Sequence, residues 1–246
     1  MNVNLEGKIA LVTGASRGIG YATALELAKA GAHVIATART VGGLEELDDE
    51  IQAAGGTATL VPLDLNQMDE IDKLGAAIHE RWGKLDIVVA NAGILGDITP
   101  LSHGDAKKFE NVMNINVTAT WRLMRSTERL LRQSDAGRAI ILSSGAPHSC
   151  RPFWGPYAAS KAAVESLSRV WAAELEDTKI CVTCVNPGAT RTRMRAQAMP
   201  GEKPETLPTA QSVAEKLVPL CSADMTETGK LFDVRQDKFL TFQKPA

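Results

Sequence analysis

Short runs of apolar and β-branched residues alternate along this chain with longer stretches whose apolar positions recur every three to four residues. The first pattern predicts buried strands and the second amphipathic helices. Strands are predicted at 8–12, 33–37, 57–61, 85–90, 138–142, 180–185 and 230–234. Helices are predicted at 18–30, 41–54 and 67–82, in a long stretch ending near Leu131, at 157–176 and around 212–221. This alternation predicts an α/β protein, because parallel strands need a crossover and each helix supplies one. Right-handed crossovers then give a Rossmann-type, doubly wound parallel sheet of seven strands with helices on both faces.

No linker divides residues 1–246, so a single dinucleotide-binding and catalytic domain is expected. The irregular segment 188–208 holds Pro200, Pro204 and Pro208 and reads as a loop with at most a short helix. It follows the C-terminal end of a predicted strand, where ligands bind in this topology, so a substrate loop is expected at about 188–210. The chain closes on a polar tail, Gln243 to Ala246.

Net charge is −2, so there is no basic footprint for nucleic acid. No apolar run reaches the ~18 residues needed to span a bilayer. The opening run Met1 to Gly7 has neither a basic nor an apolar region, so no secretory leader is expected. Of the four cysteines, Cys181 and Cys184 form a C-x-x-C. It can be read as a redox or metal pair, or as two unrelated buried thiols. On a strand, positions three apart face opposite ways, which favours the second reading. No further C-x-x-C or histidine pair completes a metal site, so no metal is expected, and a reducing cytoplasm is the expected compartment.

Between the first strand and first helix lies Thr13-Gly14-Ala15-Ser16-Arg17-Gly18-Ile19-Gly20. Phosphate needs close backbone approach and free N–H groups, which a glycine turn feeding a helix N-terminus provides. The second strand ends Thr37-Ala38-Arg39. A preference for NAD(H) would place an acid there to accept from the ribose 2′-hydroxyl. Arg39 and Arg17 instead suit a 2′-phosphate, so NADP(H) is favoured over NAD(H).

Tyr157 precedes Lys161 by four residues, one helical turn, and follows Ser144 by thirteen. Carbonyl reduction needs a hydride and a proton for the developing alkoxide. A phenol titrates near 10 unless perturbed. The Lys161 cation on the same helical face is expected to favour the phenolate. Ser144 is placed to donate to the substrate oxygen. Asn116 is a candidate for holding a helix backbone open beside Lys161.

These residues in this order resemble the short-chain dehydrogenase/reductase family. The resemblance covers nearly the whole chain and rests on the glycine turn, Asp64-Leu65, Asn91-Ala92-Gly93, Asn116, Ser144, Tyr157 with Lys161, and Pro187-Gly188. It implies that Asp64 and Leu65 meet the adenine and that Asn91, Ala92 and Gly93 support cofactor and sheet. It implies an Asn116–Ser144–Tyr157–Lys161 tetrad, with Lys161 also binding the nicotinamide ribose. Pro187, Gly188, Thr190 and Thr192 match the segment that meets the nicotinamide. The resemblance implies pairing of the helices at 109–131 and 157–176 across a two-fold axis, hence a homodimer or homotetramer. Ala90 stands where the family often has Asn, and the last strand lacks the usual Asp-Gly-Gly.

The segment 145–156 should wall the substrate pocket. Phe153 and Trp154 either stack on a substrate or pack against protein. His148 either orients a substrate group or is inert. Arg191, Arg193 and Arg195 either meet an anionic substrate or form a solvated face. The leading reading is hydride transfer between NADP(H) and a small-molecule carbonyl or secondary alcohol. A silent dinucleotide-sensing protein and a sugar-nucleotide epimerase are alternatives. An intact tetrad argues against the sensor, and the short stretch after Pro187 argues against the epimerase.

Overall fold

The computed structural model describes residues 3–242; the polar tail 243–246 and residues 1–2 lie outside the described residues. The chain runs β1 (Ile9–Thr13), α1 (Gly18–Lys29), β2 (His33–Ala38), α2 (Val41–Ala53), β3 (Thr57–Pro62), α3 (Met68–Trp82) and β4 (Ile87–Ala90). It continues through α4 (Ala106–Met113), a π turn at Asn114–Thr118, α5 (Ala119–Leu131), β5 (Arg138–Leu142), α6 (Ala146–Ser149), α7 (Gly155–Glu174) and β6 (Cys181–Asn186). The last elements are α8 (Arg193–Ala198), α9 (Ala210–Leu217), β7 (Lys230–Asp233) and β8 (Lys238–Leu240).

The strands form one sheet in the order β3-β2-β1-β4-β5-β6-β7-β8. All neighbours are parallel except β7 and β8. The sheet therefore has eight strands where seven are expected. The extra one is a short hairpin partner that pairs Phe239 with Phe232 and Leu240 with Leu231. Its polar lead-in, Arg235-Gln236-Asp237-Lys238, hides it from a periodicity reading. Asp237 takes the left-handed conformation (φ 54°) that closes the turn.

Alternation along each strand divides the core between the two sheet faces. Ala10 and Val12 of β1 join Leu25 of α1, Leu44 of α2 and Leu217 of α9 on one face. Ile9 and Leu11 join Ile71 of α3, Leu123 of α5 and Val164 of α7 on the other. Every residue of β1 is buried, which explains its unbroken apolar run. Among the described residues, no helix is long and apolar enough to cross a membrane.

The chain winds outward from β1 to β3, then returns to lay β4 on the other side of β1. That reversal opens a crevice at the C-terminal ends of β1 and β4, the position where open α/β sheets bind ligands. The C-x-x-C of β6 is not a pair. Cys181 Sγ reaches the Met225 carbonyl at 3.4 Å, whereas Cys184 is buried against Ser168 of α7. All four cysteines are free thiols.

Candidate active site

A cleft of about 840 Å³ occupies the crevice. Its floor is the turn between β1 and α1, where Gly14 (φ 67°) and Gly18 (φ 63°) adopt the left-handed backbone that glycine tolerates. Gly14, Ser16, Arg17, Gly18 and Ile19 line the cleft. Gly20 does not. It sits buried in α1, where a Cβ would collide with the Asn91 amide and the Gly14 carbonyl. Its lack of a side chain lets the segment after β4 approach the turn.

Asn91 is a strut across the crevice. Its Nδ2 donates to the carbonyls of Thr13 at 2.9 Å and Gly14 at 3.3 Å. In return the Thr13 hydroxyl accepts from the backbone N–H groups of Asn91 and Ala92, each at 3.1 Å. Thr13 opens the glycine turn read from the sequence, but its role as acceptor was not read there, because a threonine at a strand end carries no sign of its partners. These bonds fix Ala92 and Gly93 on the cleft wall.

At one end of the cleft lie Thr37, Arg39, Asp64 and Leu65. Arg17 and Arg39 are exposed, and among the described residues neither has an acidic partner. Among the described residues the buried Thr37 hydroxyl has no hydrogen-bond partner. Two free guanidiniums and an unused hydroxyl around a glycine turn fit a dinucleotide carrying an extra phosphate. The Asp64 carboxylate accepts from the Asn66 N–H at 3.0 Å, which shapes the loop that presents Leu65.

At the other end stand Ser144, Tyr157 and Lys161, with Pro187, Gly188, Thr190 and Thr192 opposite. Thr192 caps α8 by accepting from the Arg195 N–H at 3.2 Å. Its methyl lies 3.5 Å from where a Cβ of Gly18 would be, so the segment after β6 closes over the phosphate turn.

Tyr157 and Lys161 are successive turns of α7 and both are buried. Burial pushes the Tyr157 phenol up, and the Ser144 hydroxyl beside it in the cleft pulls the other way. The expected help from Lys161 is not what governs the phenol here. The Lys161 Nζ donates to the Leu142 carbonyl at 2.6 Å and lies 5.9 Å from the centre of the Tyr157 ring. Burial brings the Lys161 ammonium itself down to about 8, against the pull of its neighbours Cys184 and Glu165.

Asn116 does not reach the cleft; it lies fully buried behind it on the π turn. The sequence predicts one unbroken helix to Leu131, but the backbone widens at Asn114–Thr118. That widening lets the Asn116 side chain bond outward, to Ile94 and to Ser160 Oγ. The tetrad thus comes together as three residues at the cleft and one bracing residue behind them.

The substrate end is apolar. Leu95, Ala146 and Tyr157 pack with Trp154, Met194 and Ala198. Of the two aromatics predicted to wall the pocket, Trp154 lines the cleft, edge-on to Tyr157 with ring centres 6.1 Å apart. Phe153 points away, is 53% exposed and has a left-handed backbone (φ 75°). The three arginines after β6 divide. Arg195 makes two bonds to Glu202, of 2.5 and 2.7 Å, while Arg191 and Arg193 stay exposed at the rim. The polar residue most fully missed is Glu165, which binds Ser143 and His148. Its spacing of four from Lys161 is the signal that places it on the same helical face.

Residues 8–203 match the family model described as short chain dehydrogenase. The chain is similar to the uncharacterized oxidoreductase YciK of Escherichia coli (strain K12), with 37% identity over 235 residues covering 94% of this chain and 93% of that protein. A Shigella flexneri 2a structure solved in complex with NADP superposes with a TM-score of 0.91 at 37% identity, covering 96% of this chain and 100% of that one. One from Escherichia coli CFT073 in complex with NADPH gives a TM-score of 0.90 at 36% identity, covering 96% of this chain and 99% of that one. With the fold, the glycine turn and the Ser144–Tyr157–Lys161 cluster in place, these matches show that the chain belongs to the short-chain dehydrogenase/reductase family.

Proposed function

We propose that this protein is an NADP(H)-dependent oxidoreductase that interconverts a carbonyl and a secondary alcohol. The observation that carries the reading is the Tyr157 phenol, buried at the apolar end of the cleft and facing Ser144. NADP(H) fits the cleft and, when bound, supplies or accepts the hydride. Gly14, Ser16, Gly18 and Ile19 hold its pyrophosphate, Arg17 and Arg39 its 2′-phosphate, and Asp64 and Leu65 its adenine. Asn91 keeps Ala92 and Gly93 in place, and Lys161 holds the ribose hydroxyls. Pro187, Gly188, Thr190 and Thr192 hold the nicotinamide end.

Tyr157 gives its proton to the substrate oxygen in reduction and takes it back in oxidation. Ser144 donates a hydrogen bond to the same oxygen as charge develops there. Leu95, Trp154, Met194 and Ala198 exclude water around the reacting carbon. Trp121 of α5 (44% exposed) and Val170 of α7 (52% exposed) lie on the two helices that pair in a two-fold assembly of this family's kind, and a homodimer or homotetramer follows. The cytoplasm is the proposed compartment.

The test is a panel of ketones, aldehydes, sugars and 3-oxoacyl thioesters followed by NADPH absorbance. Tyr157→Phe is then expected to keep NADPH binding while kcat falls by about 10²–10⁴. Near wild-type kcat in that variant would remove Tyr157 from the chemistry.

A further inference from the structure

Glu165 is 5% exposed, yet nothing in the hydride-transfer reading uses it. It stands one turn beyond Lys161 and two beyond Tyr157 on the buried face of α7. One carboxylate oxygen, Oε1, accepts from the Ser143 hydroxyl at 2.5 Å and lies 3.1 Å from His148 Nε2. Ser143 is the residue before Ser144, and His148 is four residues after it on α6. Lys161 adds a third hold on the same segment through the Leu142 carbonyl at 2.6 Å. Among the described residues Ser144 itself has only a local bond, its hydroxyl accepting from the Ala146 N–H at 3.1 Å, and it lines the cleft together with Tyr157.

We propose that Glu165 is a positioning residue that holds the Ser144 hydroxyl against Tyr157 by gripping the chain on both sides of it. The proposal rests on the roles given above to Ser144 and Tyr157. A serine at a strand end has little to fix its backbone direction once the ladder stops. Here the ladder ends at Ser143, whose N–H donates to the Val185 carbonyl at 2.8 Å. Beyond it the chain turns at once into α6. A buried carboxyl group bonded to both sides of the turn fixes its pitch, because hydrogen bonds weaken steeply away from their preferred distance and angle. The other titratable groups facing Glu165 are Lys161 on its own helix and Cys184 on β6. His148 is 48% exposed in its side chain, so the grip extends from the core to solvent.

The chain has two tyrosines, so Tyr21→Phe leaves Tyr157 as its sole phenol. Phenolate absorbance of that variant, titrated with pH in the presence of NADP⁺, reads Tyr157 directly. Tyr21→Phe/Tyr157→Phe gives the blank. Ser144→Ala is expected to raise the Tyr157 midpoint by about 0.5–1 pH unit, the worth of one hydrogen bond. Ser143→Ala and Glu165→Ala are each expected to raise it by half of that or more, with Glu165→Gln between parent and Glu165→Ala. Losing a nearby negative charge alone would move the phenol down, so an upward move isolates the lost Ser144 bond. If Glu165→Ala does not fold, Ser143→Ala and His148→Gln each remove one arm of the grip and carry the test. A midpoint raised by Ser144→Ala but unmoved or lowered in the other variants overturns the proposal alone. A midpoint that Ser144→Ala leaves unmoved overturns the Ser144–Tyr157 assignment as well.

Discussion

The Asn116 carboxamide and the Ile94 backbone hold each other by two hydrogen bonds. The Ile94 N–H donates to Oδ1 at 2.8 Å, and Nδ2 donates to the Ile94 carbonyl at 2.9 Å. The same Nδ2 also donates to Ser160 Oγ at 2.9 Å, and Ser160 in turn donates to the Tyr157 carbonyl at 2.8 Å. One buried side chain therefore ties the cleft wall after β4 to the helix that carries Tyr157 and Lys161. The π turn makes this possible, since a single widened turn re-aims a side chain without ending the helix. Asn116→Ala leaves both polar groups of Ile94 unpaired, at about 1–3 kcal/mol each. The expected result is a lower urea midpoint together with weaker NADPH binding. Binding unchanged at lowered stability would show that Asn116 supports the fold and not the cleft.

Gly20 separates two meanings of a glycine motif. Its spacing from Gly14 and Gly18 suggests a phosphate contact, but it packs against Asn91 away from the cleft. Gly20→Ala should therefore act first on stability, by about 1–3 kcal/mol as in other overpacked sites. Denaturant unfolding checks this. A variant of unchanged stability would mean the Asn91 strut yields more easily than its three hydrogen bonds to Thr13 and Gly14 imply.

The fold was legible wherever period and position agree. Ile9 to Thr13 reads as a buried strand because all five residues are buried. Tyr157, Lys161 and Ser144 read as a site because their spacing already states their geometry. What escaped the sequence depends on tertiary partners. Asn114–Thr118 lies within an amphipathic helical pattern, and nothing local shows the widened turn that goes with the bond Asn116 makes across 22 positions. Phe153 and Trp154 are adjacent and alike, yet a left-handed backbone at Phe153 sends only Trp154 into the cleft. The balance at Tyr157 was also hidden, because burial, which a sequence does not show, pushes the phenol up while Ser144 pulls it down.

Arg39 tests the choice of cofactor. It is exposed just after β2, at the cleft and, among the described residues, without an acid to neutralise it. Arg39→Ala is expected to shrink the preference for NADPH over NADH by about 1–3 kcal/mol, the range for hydrogen bonds to charged groups. Affinity for NADH should be nearly unchanged. Calorimetry that finds equal affinities for both cofactors in the parent protein would refute the assignment of Arg17 and Arg39 to a 2′-phosphate.

Assembly has its own test. Trp121 and Val170 are exposed on α5 and α7, while Leu123 and Val164 of the same helices are buried in the subunit core. Of the apolar positions on these helices, only the exposed ones are free to meet a second copy. Val170→Glu combined with Trp121→Glu places like charges across a two-fold contact and is expected to yield monomers. Light scattering at micromolar concentration distinguishes the outcomes, and a parent protein that is already monomeric sinks the two-fold reading.

In its proposed place at the ribose, Lys161 should make cofactor binding sensitive to alkaline pH. Burial sets its ammonium at about 8, against an ordinary value of 10.5. Below about 8 it is charged in both folded and unfolded chains, and its burial cost is present in full. Between about 8 and 10.5 the unfolded chain binds the extra proton, so this group's cost to stability fades as pH rises. Cofactor binding has the opposite slope. With Lys161 in its proposed place, ribose hydroxyls accepting from Nζ would favour the ammonium and raise its pKa in the complex. NADPH binding just above pH 8 should therefore take up a proton, and affinity should fall with further rise in pH by up to about tenfold per unit. Calorimetry in two buffers of different ionisation heat counts that proton. Lys161→Met should abolish the uptake while leaving the Arg39 contribution intact. Identical heats in both buffers would mean that Lys161 keeps its charge state on binding, and its place at the ribose would have to be given up.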